Sequence, residues 1–243
     1  MTPDQCADVL GKARRIVVLT GAGISTSAGV PDFRGPRGLY VTRRYDPELV
    51  FDIDAFLRNP EPFYEFTRDF LSVIDDIEPT MTHRFLARLE RDGRLRCLVT
   101  QNIDFLHQKA GSENVISIHG GYWESRCLRC GLELDFEAFR PRVESETVPR
   151  CVECGGLIKP DVVFFGEAVH GMDRAASEVM DADLMMVLGS SLTVYPVASL
   201  PGMARCPVIV VNKGSVGLAP GPGRFFVDDD LDRFFSEVDS LLG

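Results

Sequence analysis

The sequence predicts an α/β protein, a doubly wound parallel sheet with a small module inserted into it. Three observations carry this. Short runs of continuous hydrophobicity recur at 16–20 (IVVLT), 96–100 (RCLVT), 161–165 (DVVFF), 184–188 (LMMVL) and 208–211 (VIVV), the pattern of strands buried on both faces. Helical spacings lie between them, and strands alternating with helices wind into a parallel sheet. Residues 123–157 break the alternation with two Cys-x-x-Cys pairs and a charged, proline-bearing middle, so they read as an insertion.

Taken in order, Cys6, Val9, Leu10 and Ala13 share one helical face, and the run 16–20 then enters the turn Gly21-Ala22-Gly23, with a helix expected to follow. Phe63, Phe66, Phe70 and Ile74 mark an amphipathic helix, as do Phe85, Leu86 and Leu89, which stop at Gly93. Several strands end in polar turns: GAGIS after the first, QNID after RCLVT, GSS after LMMVL and Asn212 after VIVV. Ligands of open parallel sheets bind at the carboxyl ends of strands, so these turns are expected to converge on one crevice. Residues 184–204 carry no charge, but Gly189, Ser190, Ser191, Pro196, Pro201 and Gly202 break them into a strand and a loop. No membrane span is expected there. Residues 221–232, opening in Gly and Pro and carrying Asp228, Asp229 and Asp230, read as a solvated turn before a last helix.

The 243 residues suffice for a sizeable core, and 45% apolar with 26% charged residues excludes disordered and fibrous classes. A formal charge of −10 opposes broad association with phosphate backbones, so direct nucleic-acid binding is not expected. The N-terminal stretch MTPDQCADVLGKARR has no apolar signal core, which makes a reducing cytoplasm the expected compartment. No pattern in the sequence sets an oligomeric state.

Four of the seven cysteines, Cys127, Cys130, Cys151 and Cys154, fall at metal-site spacing. Two such knuckles present four thiolates to one tetrahedral ion, and thiolate softness favours Zn²⁺. Four sulfurs fill the shell, so the expected role is structural. Cys6, Cys97 and Cys206 stand alone and read as small core residues. The glycine turn allows backbone N–H groups to approach a pyrophosphate. It is not a full dinucleotide fingerprint, because Thr26 stands where the third glycine would, and no acidic residue ends the second strand. Ordinary hydride transfer is therefore disfavoured even if a dinucleotide binds.

The blocks GAGISTSAGVPDFRG (21–35), TQNIDFLH (100–107), His119-Gly120, the two cysteine pairs, KPDVVFFGE (159–167), GSSLTVYP (189–196) and VVN (210–212) occur in the order found in sirtuins and span nearly the whole chain. The sequence resembles that family, in its compact bacterial and archaeal form. The resemblance implies a Rossmann-like NAD-binding domain (1–37, 80–122 and 158–243) and a small domain made from a helical insertion (38–79) and a zinc ribbon (123–157). It implies NAD as co-substrate and one structural Zn²⁺. The implied reaction converts acetyl-lysine and NAD into deacetylated lysine, nicotinamide and 2′-O-acetyl-ADP-ribose, with acetylated proteins or peptides as partners.

Carried over by motif position, the resemblance gives Gly21, Ala22, Gly23, Thr26, Phe33 and Arg34 to the NAD path. Gln101, Asn102, Ile103 and Asp104 go to the nicotinamide ribose and carboxamide, and Gly189, Ser190, Ser191 and Asn212 to the adenosine half. Leu231 is implied as an adenine contact, although VDDDLD departs from the commoner Gly-Asp pattern. His119 is implied as the acid/base residue, suited by an imidazole pKa near neutrality, with Asn102 and Asp104 aligning the glycosidic bond. Val163, Phe165, Gly166, Glu167 and Val194 are implied to bracket an extended peptide by strand addition. His83, His107 and His170 read as structural, with His107 a packing or loop-ordering residue.

Sirtuins that favour acidic acyl groups carry a Tyr and an Arg three residues apart on the helix after the FRG segment. Tyr64 takes the first place here but Thr67 takes the second, and Arg68 one residue on faces elsewhere on a helix. Neutral acyl groups are therefore expected, acetyl first. Two other functions use some of the same residues: mono-ADP-ribosyl transfer from the same cleft, and a non-enzymatic zinc-ribbon binding module. An adaptor would have no need of the set Gln101, Asn102, Asp104 and His119.

Overall fold

The structure, a computed structural model, describes residues 1–30 and 45–242. The chain divides into two compact units. One comprises Met1–Val30, Glu78–Ile118 and the chain from Gly171 on; the described part of the other comprises 45–77 and His119–His170. Residues 119–122 and 158–170 thus group with the cysteine pairs.

The strands in chain order are β1 (Ile16–Thr20), β2 (Leu95–Thr100), β3 (Val115–Ser117), β4 (Glu124–Cys127), β5 (Glu133–Asp135), β6 (Ile158–Pro160), β7 (Leu184–Leu188), β8 (Val208–Val211) and β9 (Arg224–Val227). In the first unit six of them form one parallel sheet in the order β3-β2-β1-β7-β8-β9. Every residue of β1, β7 and β8 is buried, as their unbroken apolar runs require. Helices Pro3–Lys12, Met81–Arg91 and Leu231–Leu242 pack together, and Leu10, Leu86 and Phe235 join Val18, Leu98, Met186 and Ile209 of the sheet in one core. Thr2 and Thr80 form capping boxes at the starts of the first two helices.

Three expectations are corrected. The run 161–165 is not a strand of the parallel sheet; it is a segment of the second unit whose only ladder contact among the described residues is a parallel bridge from Phe165 to Asp52. Its burial alternates, with Val162 and Phe164 inside and Asp161 and Phe165 outside, so period 2 was hidden under a uniformly apolar reading. Residues 224–227 form the edge strand β9, its phenylalanines 38% and 37% exposed. The Gly and Pro before it are the turn. No α-helix follows the glycine turn directly; two short 3₁₀ turns, Ala22–Ile24 and Thr26–Ala28, stand there instead.

In the second unit β5-β4-β6 form a small antiparallel sheet. Phe56 of helix Ile53–Arg58 and Phe63 of helix Glu61–Ile74 join Phe51 and Phe164 in an aromatic cluster whose rings meet edge to face or tilted. Helix Phe136–Ser145 packs on β4 and β5. No helix among the described residues is long and apolar enough to cross a membrane.

Candidate functional site

Strand order reverses between β1 and β7, and in a sheet of this type that point marks the ligand crevice at the carboxyl ends. The glycines lie there. Gly21 N–H donates to Leu188 O at 3.0 Å, Gly23 N–H to Gly189 O at 2.9 Å, and Gly189 N–H to Val211 O at 3.0 Å. A Cβ on Gly21 would lie 2.8 Å from Gly189 O, and one on Gly23 2.7 Å from Gly189 Cα. The turns after β1 and β7 therefore interlock backbone to backbone, which only glycine permits. A 3₁₀ turn rather than an α-helix follows the loop directly, and the N–H groups of Gly21, Gly23, Ile24 and Ser25 are all bonded within the protein. Ala22 and Thr26 are half-buried, the Thr26 hydroxyl donating to Gly23 O at 3.1 Å.

The turn after β2 joins this loop through side chains. Gln101 Nε2 donates to Ser190 Oγ at 2.9 Å and to Thr20 O at 3.3 Å. Asn102 Nδ2 donates to Gly21 O at 3.3 Å and to Ser25 Oγ at 3.2 Å, and Ser25 donates to Asp104 Oδ2 at 2.6 Å. Burial pushes the Asp104 carboxyl above its ordinary range, against the bonds from Ser25, the Leu106 N–H and Asn102. Ile103 is half-buried beside them. Phe105 and Leu192 hold left-handed backbone at φ 62° and 53° in the loops after β2 and β7, strain of the kind that clusters at functional sites.

Ser190 is buried and also accepts the Leu192 N–H at 3.3 Å, while Ser191 meets the Thr193 hydroxyl at 3.0 Å. Asn212 follows β8, its N–H bonded to Val227 O at 3.0 Å. Leu231 is 8% exposed and belongs to the hydrophobic core. Val194 is half-buried, its carbonyl accepting the Ala198 N–H at 2.9 Å. Phe33 and Arg34 lie outside the described residues.

Sequence reasoning missed the polar layer beneath. Ser25 is fully buried between Asn102 and Asp104. Thr20 Oγ1 contacts Thr100 Oγ1 at 3.0 Å and His107 Nε2 at 2.9 Å, and Thr100 Oγ1 accepts the Asn102 N–H at 3.1 Å. His107 is buried and meets the end of β1 through Thr20, which in turn meets Thr100 at the end of β2. Burial pulls its pKa far down, so the neutral ring is the resident form. The available signal was Thr20 and Thr100, hydroxyls closing otherwise apolar strands.

In the second unit, His119 is half-buried and its carbonyl accepts the Val163 N–H at 2.9 Å. Gly120 sits at φ +66°, where a Cβ would fall 1.7 Å from Asp161 O, so a glycine must follow the histidine. Phe165 is bound on both backbone groups, its N–H to Phe51 O at 2.7 Å and its carbonyl to Ile53 N–H at 3.1 Å. Gly166 turns the chain at φ +94°, and Glu167 pairs with Lys159 at 2.8 Å.

The sulfurs of Cys127, Cys130, Cys151 and Cys154 lie within 4.8 Å of one another. Cys127 and Cys154 are 3.5 Å apart and Cys130 and Cys151 3.6 Å, too far for disulfides. Tetrahedral zinc with Zn–S bonds of about 2.3 Å needs sulfurs about 3.8 Å apart, so the quartet fits a Zn²⁺ ion. The two knuckles match: Gly131 N–H donates to Cys127 O at 3.0 Å and Gly155 N–H to Cys151 O at 2.8 Å, with φ of +75° and +69°. Backbone hydrogen bonds, first that of Cys130, pull the Cys127 thiol down, while Cys130 and Cys154 beside it are pushed up, so the four sulfurs titrate as one cluster.

Fold and site define an α/β dinucleotide-type protein with a structural four-thiolate module. A family profile described as Sir2 family matches residues 21–196. The NAD-dependent protein deacetylase of Thermotoga maritima is 46% identical over 212 residues, covering 85% of each chain. That of Caldivirga maquilingensis is 46% identical over 198 residues, 81% of this chain and 76% of the relative. A structure described as Sir2-p53 peptide-NAD+ superposes with a TM-score of 0.89 at 39% identity, covering 99% of this chain and 98% of that one. One of Sir2Tm bound to a propionylated peptide gives 0.87 at 36% identity over 100% of both chains. The chain belongs to the Sir2 family.

Proposed function

We infer that this protein is an NAD-dependent protein lysine deacetylase. The observation that carries the reading is the hydrogen-bonded set Gln101, Asn102, Ser25 and Asp104 beside the interlocked Gly21, Gly23 and Gly189 at the reversal point of the sheet. The relatives named NAD-dependent protein deacetylase and the neighbours bound to peptide and NAD support it.

NAD supplies an electrophilic ribose carbon once nicotinamide departs. The loop around Gly21, Ala22, Gly23 and Thr26 receives the phosphates, and Ser190, Ser191 and Asn212 the adenosine half. Asn102 and Asp104 orient the ribose and carboxamide. The dense bonding around them supports that role, because alignment is what a weak amide-oxygen nucleophile needs. His119 accepts a ribose hydroxyl proton, and its rigid His-Gly turn supports a fixed base. Phe165 is committed to residues 51–53 through its backbone, so within the second unit an added peptide strand pairs beside Gly166 instead. All seven cysteines are free of disulfides, which suits a reducing cytoplasm.

The test combines purified protein, NAD and an acetyl-lysine peptide. The expected products are nicotinamide, free lysine and acetyl-ADP-ribose by mass spectrometry, with His119→Ala lowering turnover by at least about 100-fold. Label from NAD retained on protein, without deacetylation, would replace this reading with ADP-ribosyl transfer.

A further inference from the structure

We propose that Lys159 is a positioning residue for the peptide substrate, holding the segment 160–167 in its binding shape through an ion pair with Glu167. The proposal rests on the deacetylase reading, which gives that segment to the peptide.

Lys159 lies in β6 and is 5% exposed, although lysine is almost never buried without a partner. Its ammonium is fully engaged. Nζ donates to Val162 O at 2.7 Å and to Pro160 O at 3.3 Å, and pairs with Glu167 Oε2 at 2.8 Å. It also stands 4.1 Å from the centre of the Phe164 ring. Glu167 completes the loop, because the same carboxylate oxygen accepts the Phe164 N–H at 2.9 Å. The segment is thus wrapped around one cation, which touches it at its start, its middle and its end.

Wrapping decides which way the side chains face. With Val162 O and the Phe164 backbone tied inward, Val162 and Phe164 are buried and Phe165 is turned out, 47% exposed. Gly166, at φ +94°, then bends the chain so that Glu167 returns to Lys159. The ion pair also neutralises Glu167, so this segment offers a peptide backbone groups and an aromatic face rather than a free carboxylate. Burial lowers the Lys159 pKa while Glu167 opposes the shift. At its other end Lys159 is set by the metal module: β6 pairs with β4, where Cys127 stands opposite Ile158 and Arg126 opposite Lys159.

The experiment measures steady-state kinetics with an acetyl-lysine peptide and NAD varied separately, on wild type, Lys159→Met and Glu167→Gln, with peptide affinity by calorimetry on the same samples. Both variants are expected to raise the peptide KM and Kd about tenfold, with the NAD KM within about twofold of wild type. Lys159→Arg is not expected to restore binding, since a planar guanidinium cannot reproduce a compact ammonium among three oxygens. Should Lys159→Met fail to fold, Glu167→Gln reads the same contact from the other side. Unchanged peptide KM in the folded variants, or an equal loss for peptide and NAD, overturns the proposal. An inactive wild type would instead overturn the deacetylase reading.

Discussion

Gly23 N–H donates to Gly189 O at 2.9 Å, and a Cβ on Gly23 would stand 2.7 Å from Gly189 Cα. Two loops from different strands are thus locked at van der Waals contact, and each glycine is required by the other.

Gly23→Ala is therefore expected to force the β1 and β7 loops apart. Backbone atoms on the facing side cannot rotate away, so overpacking of about 1–3 kcal/mol falls on the crevice. The NAD KM should rise at least about tenfold. Gly11→Ala is the control: it sits inside helix Pro3–Lys12 with nothing within 4 Å, and should raise stability by about 0.5–1 kcal/mol with kinetics unchanged. Equal NAD KM values for Gly23→Ala and wild type would refute the interlock as a determinant of cofactor binding.

Much of this architecture was legible in the residues. The strands IVVLT, LMMVL and VIVV are buried end to end, and total burial is what an unbroken apolar run encodes. The cysteine quartet was legible because four thiolates at that spacing have few other uses. DVVFF misled because its outward Phe165 is as apolar as its inward Phe164, which erases the period that separates a one-sided segment from a buried strand. RFFV was missed because the Gly, Pro and Asp around it spoke for a turn. Ser25, Lys159 and the Thr20–His107 contact were not legible, since each depends on a partner outside its own local pattern, 79, 8 and 87 residues away.

The acyl range follows from the helix Glu61–Ile74. Tyr64 is fully buried, its hydroxyl bonded to Ile158 O, and Thr67 is fully buried with its hydroxyl on Phe63 O at 2.8 Å. Arg68 is spent on the carbonyls of Glu146 and Thr147 at 3.0 and 3.1 Å. A succinyl carboxylate would find no cation among these three, and an unpaired buried carboxylate is costly. Acetyl- and propionyl-lysine peptides should turn over at least about tenfold faster than succinyl-lysine. Comparable rates across that panel would contradict the assignment.

The metal module carries its own reporter. Strands β4, β5 and β6 have four, three and three residues, too short to persist as an isolated sheet, so the four thiolates must supply much of its cohesion. Trp123, the sole tryptophan, immediately precedes β4. Fresh protein should contain one zinc per chain. A strong chelator should red-shift Trp123 emission and lower the melting temperature, and restoring zinc should reverse both. Full folding and unchanged emission after metal removal would show that hydrogen bonds alone hold the knuckles.

The buried histidines make stability depend on pH in a defined direction. His83 is fully buried, and burial holds its pKa down at about 4, with Asp232 opposing and Arg84 reinforcing the shift. In the unfolded chain the same imidazole takes up its proton near 6.5. Between those values the unfolded state binds a proton that the native state refuses, so stability falls as pH is lowered from about 6.5 to about 4 and levels off below. The shift corresponds to roughly 3 kcal/mol from His83, and His107, also held neutral by burial, adds in the same direction. Denaturant midpoints measured from pH 7.5 to 4 should trace this decline. His83→Gln, which keeps an acceptor for the Thr80 N–H now bonded to Nδ1 at 3.3 Å, should make it shallower and leave the part due to His107. A slope equal to that of wild type would assign the acid sensitivity to other groups.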